Sequence, residues 1–137
     1  MLVGARERID EILRFKSNMD SGMFLPVQLA AARALALDQS WYDELNKVYA
    51  ERKAVVYDIL DFLNCSFDTK QSGLFVWAKI AGGFKDGYAL SDKILYEKSV
   101  FLTPGGIFGA NGNNYVRVSL CQKKEVIQQA LDRITGE

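Results

Sequence analysis

The run Tyr115-Val116-Arg117-Val118-Ser119-Leu120 holds the residue best suited to chemistry in this chain. A period of two puts Val116, Val118 and Leu120 on one face and Tyr115, Arg117 and Ser119 on the other. The valines belong to a core, so Arg117 faces away from it. An arginine fixed mid-strand between buried anchors is stiff, and its planar fork suits bidentate capture of a carboxylate or phosphate. On the strand alone, the alternative is an arginine on a solvated sheet face, paired with a neighbouring acid. Upstream, Gly106, Gly109 and Gly112 have a spacing reminiscent of a phosphate loop, but no Lys-Ser or Lys-Thr follows and a strand comes next. Nucleotide binding is set aside. Glycines there let the backbone take positive φ and pass close to packed backbone or to a ligand. Gly105, Phe108, Gly109 and Tyr115 are thus the candidate wall of a pocket beside Arg117.

Elsewhere the chemistry thins out. Histidine is absent, which excludes the commonest general base, the Ser-His and Cys-His nucleophile pairs and the commonest metal ligand. No metal site is expected. Cys65 and Cys121 form no CxxC and read as two reduced thiols in the core. Asp58 and Asp61, like Asp43 and Glu44, share helix faces with Lys and Arg and serve solvation. Tyr88 reads as a half-buried tyrosine, with hydrogen-bond donation in a site as the minority reading. Seventeen basic and seventeen acidic residues alternate in sign, which argues against a nucleic-acid or anionic-membrane footprint. The longest apolar stretch, residues 22–37, is interrupted by Pro26, Gln28 and Arg33 and falls short of the roughly 20 residues a bilayer requires. With Arg6, Glu7, Arg8 and Asp10 breaking any apolar leader, the expected setting is cytoplasmic and reducing.

The 137 residues suffice for one ordinary domain, and their 49% hydrophobic content predicts a packed core rather than disorder. Met1-Leu2-Val3-Gly4 reads as the tail of a strand that starts upstream. A charged helix follows over residues 5–16, with Ile9, Ile12 and Leu13 on one face, and then a polar connector over 17–22. Residues 25–37 are apolar nearly all round, which predicts a helix buried on most sides. Ser40 with Asp43 resembles a capping box ahead of a long helix reaching Leu63, its stripe being Trp41, Leu45, Val48, Val56, Ile59 and Leu63. Strands are expected over 74–80, 99–102 and 115–120, with helices over 88–98 and 122–134. The last helix should turn Val126, Ile127, Ala130, Leu131 and Ile134 inward. Three strands among helices, without a sustained strand–helix repeat, predict an α+β two-layer sandwich: a small, mainly antiparallel sheet with helices packed on it.

The run Val100-Phe101-Leu102-Thr103-Pro104-Gly105-Gly106-Ile107-Phe108-Gly109, followed by Tyr115, Arg117 and Ser119, resembles the end of the class I/II (fold type I) pyridoxal-phosphate-dependent aminotransferases. There a V-x-x-x-P-G-x-x-F-G loop leads to a Y-x-R-x-S strand. Gln28 to Leu35 is similar to the family's Q-x-A-x-x-x-A-L helix, residues 52–63 to the end of its long helix, and Gly73-Leu74-Phe75-Val76-Trp77 to its G-x-F-x-W strand. The resemblance covers essentially the whole chain. It implies that residues 1–21 are the end of a large-domain strand, a connecting helix and a linker, and that 22–137 are the small C-terminal domain. It implies that Arg117 grips the α-carboxylate of the substrate, with amino acids and 2-oxo acids as substrates and a homodimer as the parent assembly. It further implies that the Schiff-base lysine lies upstream of Met1, since none of the ten lysines has that motif around it. The chain alone is therefore expected to be inactive, to contain no catalytic or cofactor-binding residue and to bind no pyridoxal 5'-phosphate. Two other readings remain: a related lyase or decarboxylase, whose reaction type the missing part would set, and a non-catalytic carboxylate-binding regulatory module.

Overall fold

A computed structural model describes residues 2–20 and 22–136. The expected strand start at Met1 and the expected boundary at Ser21 lie on residues outside that set. Leu2 to Gly4, which are described, pair with no strand. The chain forms two compact units, residues 1–41 and 42–137.

The first unit holds α1 (Arg6–Ser17), α2 (Leu25–Leu35) and the first residues of α3 (Gln39–Phe62). Pro26 stands in the first turn of α2, where its missing N–H costs nothing. No residue of α1 or α2 is buried. This corrects the expectation of a helix buried on most sides at 25–37, because a unit of two short helices cannot enclose a helix that is apolar all round. Phe24, Leu25, Val27, Leu29 and Leu35 are all more than half exposed. α3 begins at Gln39, so Ser40 stands inside its first turn and does not precede it as a capping residue would.

The second unit carries the rest of α3, then β1 (Phe75–Lys79), α4 (Gly87–Lys98), β2 (Thr103–Pro104), two 3-10 turns (Gly105–Phe108 and Ala110–Gly112), β3 (Tyr115–Ser119) and α5 (Lys124–Thr135). The sheet has the order β1-β3-β2, antiparallel throughout, with Trp77 opposite Arg117 and Thr103 opposite Arg117 on the other side. It is the three-stranded α+β arrangement expected. One face of the sheet, Val76, Ala78, Val116 and Leu120, is fully buried against Val55, Val56, Ile59 and Leu60 of α3, Leu90 and Ile94 of α4, and Ile127 and Ile134 of α5. Each valine, leucine or isoleucine buried in this way contributes about 1.5–3 kcal/mol.

Four expectations shift. The stripe of α3 enters the core only through its C-terminal half; Trp41, Leu45 and Val48 are exposed because the sheet reaches only the last turns of a helix about 36 Å long. On α5, Val126 lies outside the core. Cys65 is buried as expected, but Cys121 is exposed, since the alternation that buries Leu120 turns the next residue outward. The middle strand expected at 99–102 is replaced by a two-residue pairing at Thr103 and Pro104. Ser99 caps α4 in the left-handed region at φ 54°, the Ser91 hydroxyl donates to the Leu102 carbonyl, and Arg133 donates to the Ser99 carbonyl at 3.4 Å. Residues 99–102 are thus tied to helices and are kept from β3. Pro104 is tolerated because β2 is an edge strand.

One side chain and one backbone bridge hold the other edge. The Gln71 amide accepts from the Trp77 N–H and donates to the Trp77 carbonyl, both at 2.8 Å, filling one ladder position of β1. Ser66 pairs with Lys79 in the next one. The loop carrying Gln71 is bound to α3 by Lys53, which donates to the Gln71 carbonyl at 2.7 Å, and by Tyr57, which donates to the Thr69 carbonyl and stacks on Phe67.

Candidate carboxylate-binding site

The outward face of the sheet carries Phe75, Trp77 and Lys79 from β1, Thr103 from β2, and Tyr115, Arg117 and Ser119 from β3. Arg117 is half-buried at its centre. The Val116 and Leu120 anchors on either side are fully buried, so the strand position of Arg117 is held by the core. Leu120 is pinned twice more: its N–H donates to the Leu74 carbonyl at 2.9 Å, and its carbonyl accepts from Arg52 of α3 at 3.0 Å.

The guanidinium stands between two aromatic rings. Its central carbon is 4.1 Å from the ring centre of Phe75 and 4.2 Å from that of Phe108. Phe108 also meets Trp77 edge-on at 5.4 Å, and Trp77 meets Tyr115 edge-on at 6.5 Å. Among the described residues no acid pairs with Arg117, and its Nε–H is buried without an acceptor. The solvated sheet-face salt bridge that the strand left open is therefore not what the structure contains. An orphan buried donor costs about 1–3 kcal/mol, which a ligand carboxylate bound to the guanidinium would offset. A cleft of about 240 Å³ lies between Val100 to Thr103, the end of β3 and α5; Arg117 lines it beside Ile59, Val118 and Ile127, whereas Phe75 and Phe108 stand outside it.

The glycine-rich stretch builds the second wall by folding on itself. Gly105 is buried, and a side chain there would meet the Gly112 carbonyl oxygen at 2.5 Å and the Tyr115 carbonyl oxygen at 2.9 Å. Close backbone packing, one of the two readings open from sequence, is what Gly105 serves. Gly109, at φ 126° and ψ 163° with open space around it, reverses the chain immediately after Phe108 in a conformation that only glycine adopts readily. Between these two glycines the 3-10 turn holds the Phe108 ring over Arg117. Phe108 and Arg117 are thus brought together directly, Tyr115 reaches them through Trp77, and Gly105 and Gly109 shape the turn.

Phe75 is the member of the site that the sequence reading did not single out. Its alternation with the buried Val76 and Ala78 was the available signal, since it places Phe75 and Trp77 on the same face as Arg117 once the two strands pair. Of the titratable groups with displaced pKa values, neither Cys65 nor Tyr57 belongs to this face. Burial pushes the Cys65 thiol up, partly offset by the Ala81 N–H, and burial together with Asp68 pushes the Tyr57 phenol up.

Known proteins resemble this chain in both sequence and fold. The model of the family described as aminotransferase class I and II matches residues 1–134. An LL-diaminopimelate aminotransferase of Maridesulfovibrio salexigens is 35% identical over 135 residues, which are 98% of this chain and 34% of that protein. Transaminase BacF of Bacillus subtilis is 32% identical over 133 residues, 96% of this chain and 33% of BacF. The apo-BacF structure superposes with a TM-score of 0.80 at 31% identity, covering 98% of this chain and 34% of that one. An aminotransferase structure from Staphylococcus aureus gives 0.80 at 29% identity, over 98% and 35%. The chain spans about a third of the length of these relatives. Matched from one end to the other in sequence and in fold, it belongs to the class I and II aminotransferases.

Proposed function

We propose that this chain is the small, carboxylate-gripping domain of a pyridoxal-phosphate-dependent aminotransferase, and that Arg117 holds the α-carboxylate of the amino acid or 2-oxo acid. The observation that carries this is the guanidinium itself: stiffly mounted, flanked by two rings, unpaired with any acid of the described residues and left with an orphan buried N–H. The named activities of the LL-diaminopimelate aminotransferase and BacF relatives point the same way.

The surroundings of Arg117 also test whether the chain could hold pyridoxal phosphate by itself. That cofactor carries a phosphate, a pyridine nitrogen and an aldehyde, which call for a set of N–H donors, a carboxylate and an amine. Phe75, Phe108 and Trp77 around one cation fit a carboxylate and do not fit this group. No step of the chain's own chemistry is therefore routed through the cofactor. What these residues do is bind and orient. The β3 core fixes the arginine, the rings exclude water from its faces, and the bidentate fork sets the direction of the bound acid. In a parent enzyme, cytoplasmic and homodimeric, this would hold the substrate for chemistry performed elsewhere, and the chain alone would not transaminate.

The test is made on the gene. A lysine motif of the Ser-x-x-Lys type read in frame upstream of the Met1 codon, and a visible absorption band of the full product that shifts when an amino acid is added, would support the enzyme reading. A blank spectrum would overturn it. The second reading, a carboxylate-binding module without catalysis, would then stand in its place.

A further inference from the structure

The two rings do more than shield a charge. With Phe75 and Phe108 each about 4 Å from the central carbon of Arg117, the faces of the guanidinium are taken, and a ligand must approach within its plane, along the edge that bears the N–H donors. A carboxylate meets that edge as a flat group, both oxygens in the plane of the fork. A phosphonate or sulfonate that offers two oxygens in the same way must carry its third oxygen out of that plane, toward one of the rings. Aromatic faces carry the negative part of the ring quadrupole, so an anionic oxygen is driven against both the volume and the field of the ring.

We propose that Phe75 and Phe108 are specificity-determining residues that make the Arg117 site selective for planar carboxylates over tetrahedral oxyanions. This rests on the reading of Arg117 as a carboxylate clamp and goes beyond it by assigning the selection to the rings. Phe108 is the adjustable jaw. It is half exposed, it sits in a 3-10 turn and not in the core, and it is followed by Gly109. Phe75 is fixed by its place in β1, next to Val76 in the core.

The experiment uses the 137-residue chain, labelled with nitrogen-15, and follows the Arg117 Nε–H resonance. Acetate and doubly ionised methylphosphonate are titrated at matched ionic strength. Net charge alone would place the phosphonate ahead. The expected result is that acetate binds at least threefold more tightly than methylphosphonate, and that Phe108→Ala reverses the order while the rest of the spectrum stays native. Should Phe108→Ala disturb the fold through its contact with Trp77, Phe75→Leu provides the second opening of the sandwich and should reduce the acetate preference in the same direction. Tighter binding of methylphosphonate to the unaltered chain, or a preference unchanged in the folded variants, would overturn the selectivity while leaving the clamp intact. A resonance that responds to neither anion would overturn the clamp reading, and the selectivity with it.

Discussion

Replacing Arg117 by leucine separates a ligand clamp from a structural arginine. The protein loses two cation–ring contacts at 4.1 and 4.2 Å, worth about 0.5–1 kcal/mol each at a partly exposed site. Against this it sheds a buried N–H that has no acceptor, a burden of about 1–3 kcal/mol, and leucine keeps apolar contact with both rings. The two effects nearly cancel, so the unfolding free energy of the second unit should change by no more than about 1 kcal/mol, a shift of roughly 4–8 °C or less in Tm. Binding should suffer far more. Removing one partner of a charge-assisted bidentate pair costs about 2 kcal/mol or more, roughly a 30-fold or greater loss of affinity. Urea denaturation of both proteins and an acetate titration followed by NMR provide the two measurements. Destabilisation above about 3 kcal/mol would show that the arginine serves the fold, and acetate binding that survives in Arg117→Leu would show that the ligand sits elsewhere; either result refutes the reasoning.

Gly105→Ala should lower stability by about 1–3 kcal/mol in the same urea experiment, because its added methyl meets backbone oxygens of Gly112 and Tyr115 that cannot swing away; an unchanged midpoint would mean that the turn relaxes freely. Ellman's reagent should modify the exposed Cys121 in the native protein and Cys65 only as the protein unfolds. Burial raises the Cys65 thiol above its ordinary value, so its contribution to stability is complete at neutral pH and is lost as pH rises through the raised value; the urea midpoint should fall above about pH 9, and a midpoint that rises there would contradict the burial argument. The exposed apolar residues of α2 should make the chain self-associate as concentration increases, and a monodisperse monomer by light scattering at high concentration would remove that expectation.

How much of this was legible in the sequence follows from which signals are local. The alternation at Tyr115 to Leu120 is local, and it placed Arg117 on the outward face with Val116 and Leu120 beneath it, as found. The Asp86 cap of α4, whose carboxylate accepts from the Ala89 N–H at 3.0 Å, and the left-handed Ser99 at its end bound a helix that periodicity alone had located within one residue. The strand expected at 99–102 failed because propensity sees Val100 and Phe101 and does not see Ser91 and Arg133 drawing the backbone carbonyls of Leu102 and Ser99 away from β3. The burial expected of α2 and of the N-terminal half of α3 failed for a different reason. Apolar composition records that a surface is meant to be covered, without recording by what, and among the described residues no side chain of α2 is buried.

The ring sandwich lies between these cases. Residues 75, 108 and 117 are far apart in sequence, and three separate facts bring them together: the register that sets Phe75 opposite Ser119 and Trp77 opposite Arg117, the Gly105 to Gly112 backbone contact that folds the glycine stretch, and the left-handed Gly109 that ends the turn carrying Phe108. Shifting β1 by a single residue would send Phe75 and Trp77 into the core and expose Val76 and Ala78, so the hydrophobic pattern that secures the core also secures the position of one ring. The other ring depends on the glycines of its turn and on its edge contact with Trp77. The site therefore has one jaw set by the stability of the fold and one set by local backbone conformation. Substitutions at Gly109 should thus alter ligand binding before they alter folding, whereas those at Val76 should do the reverse.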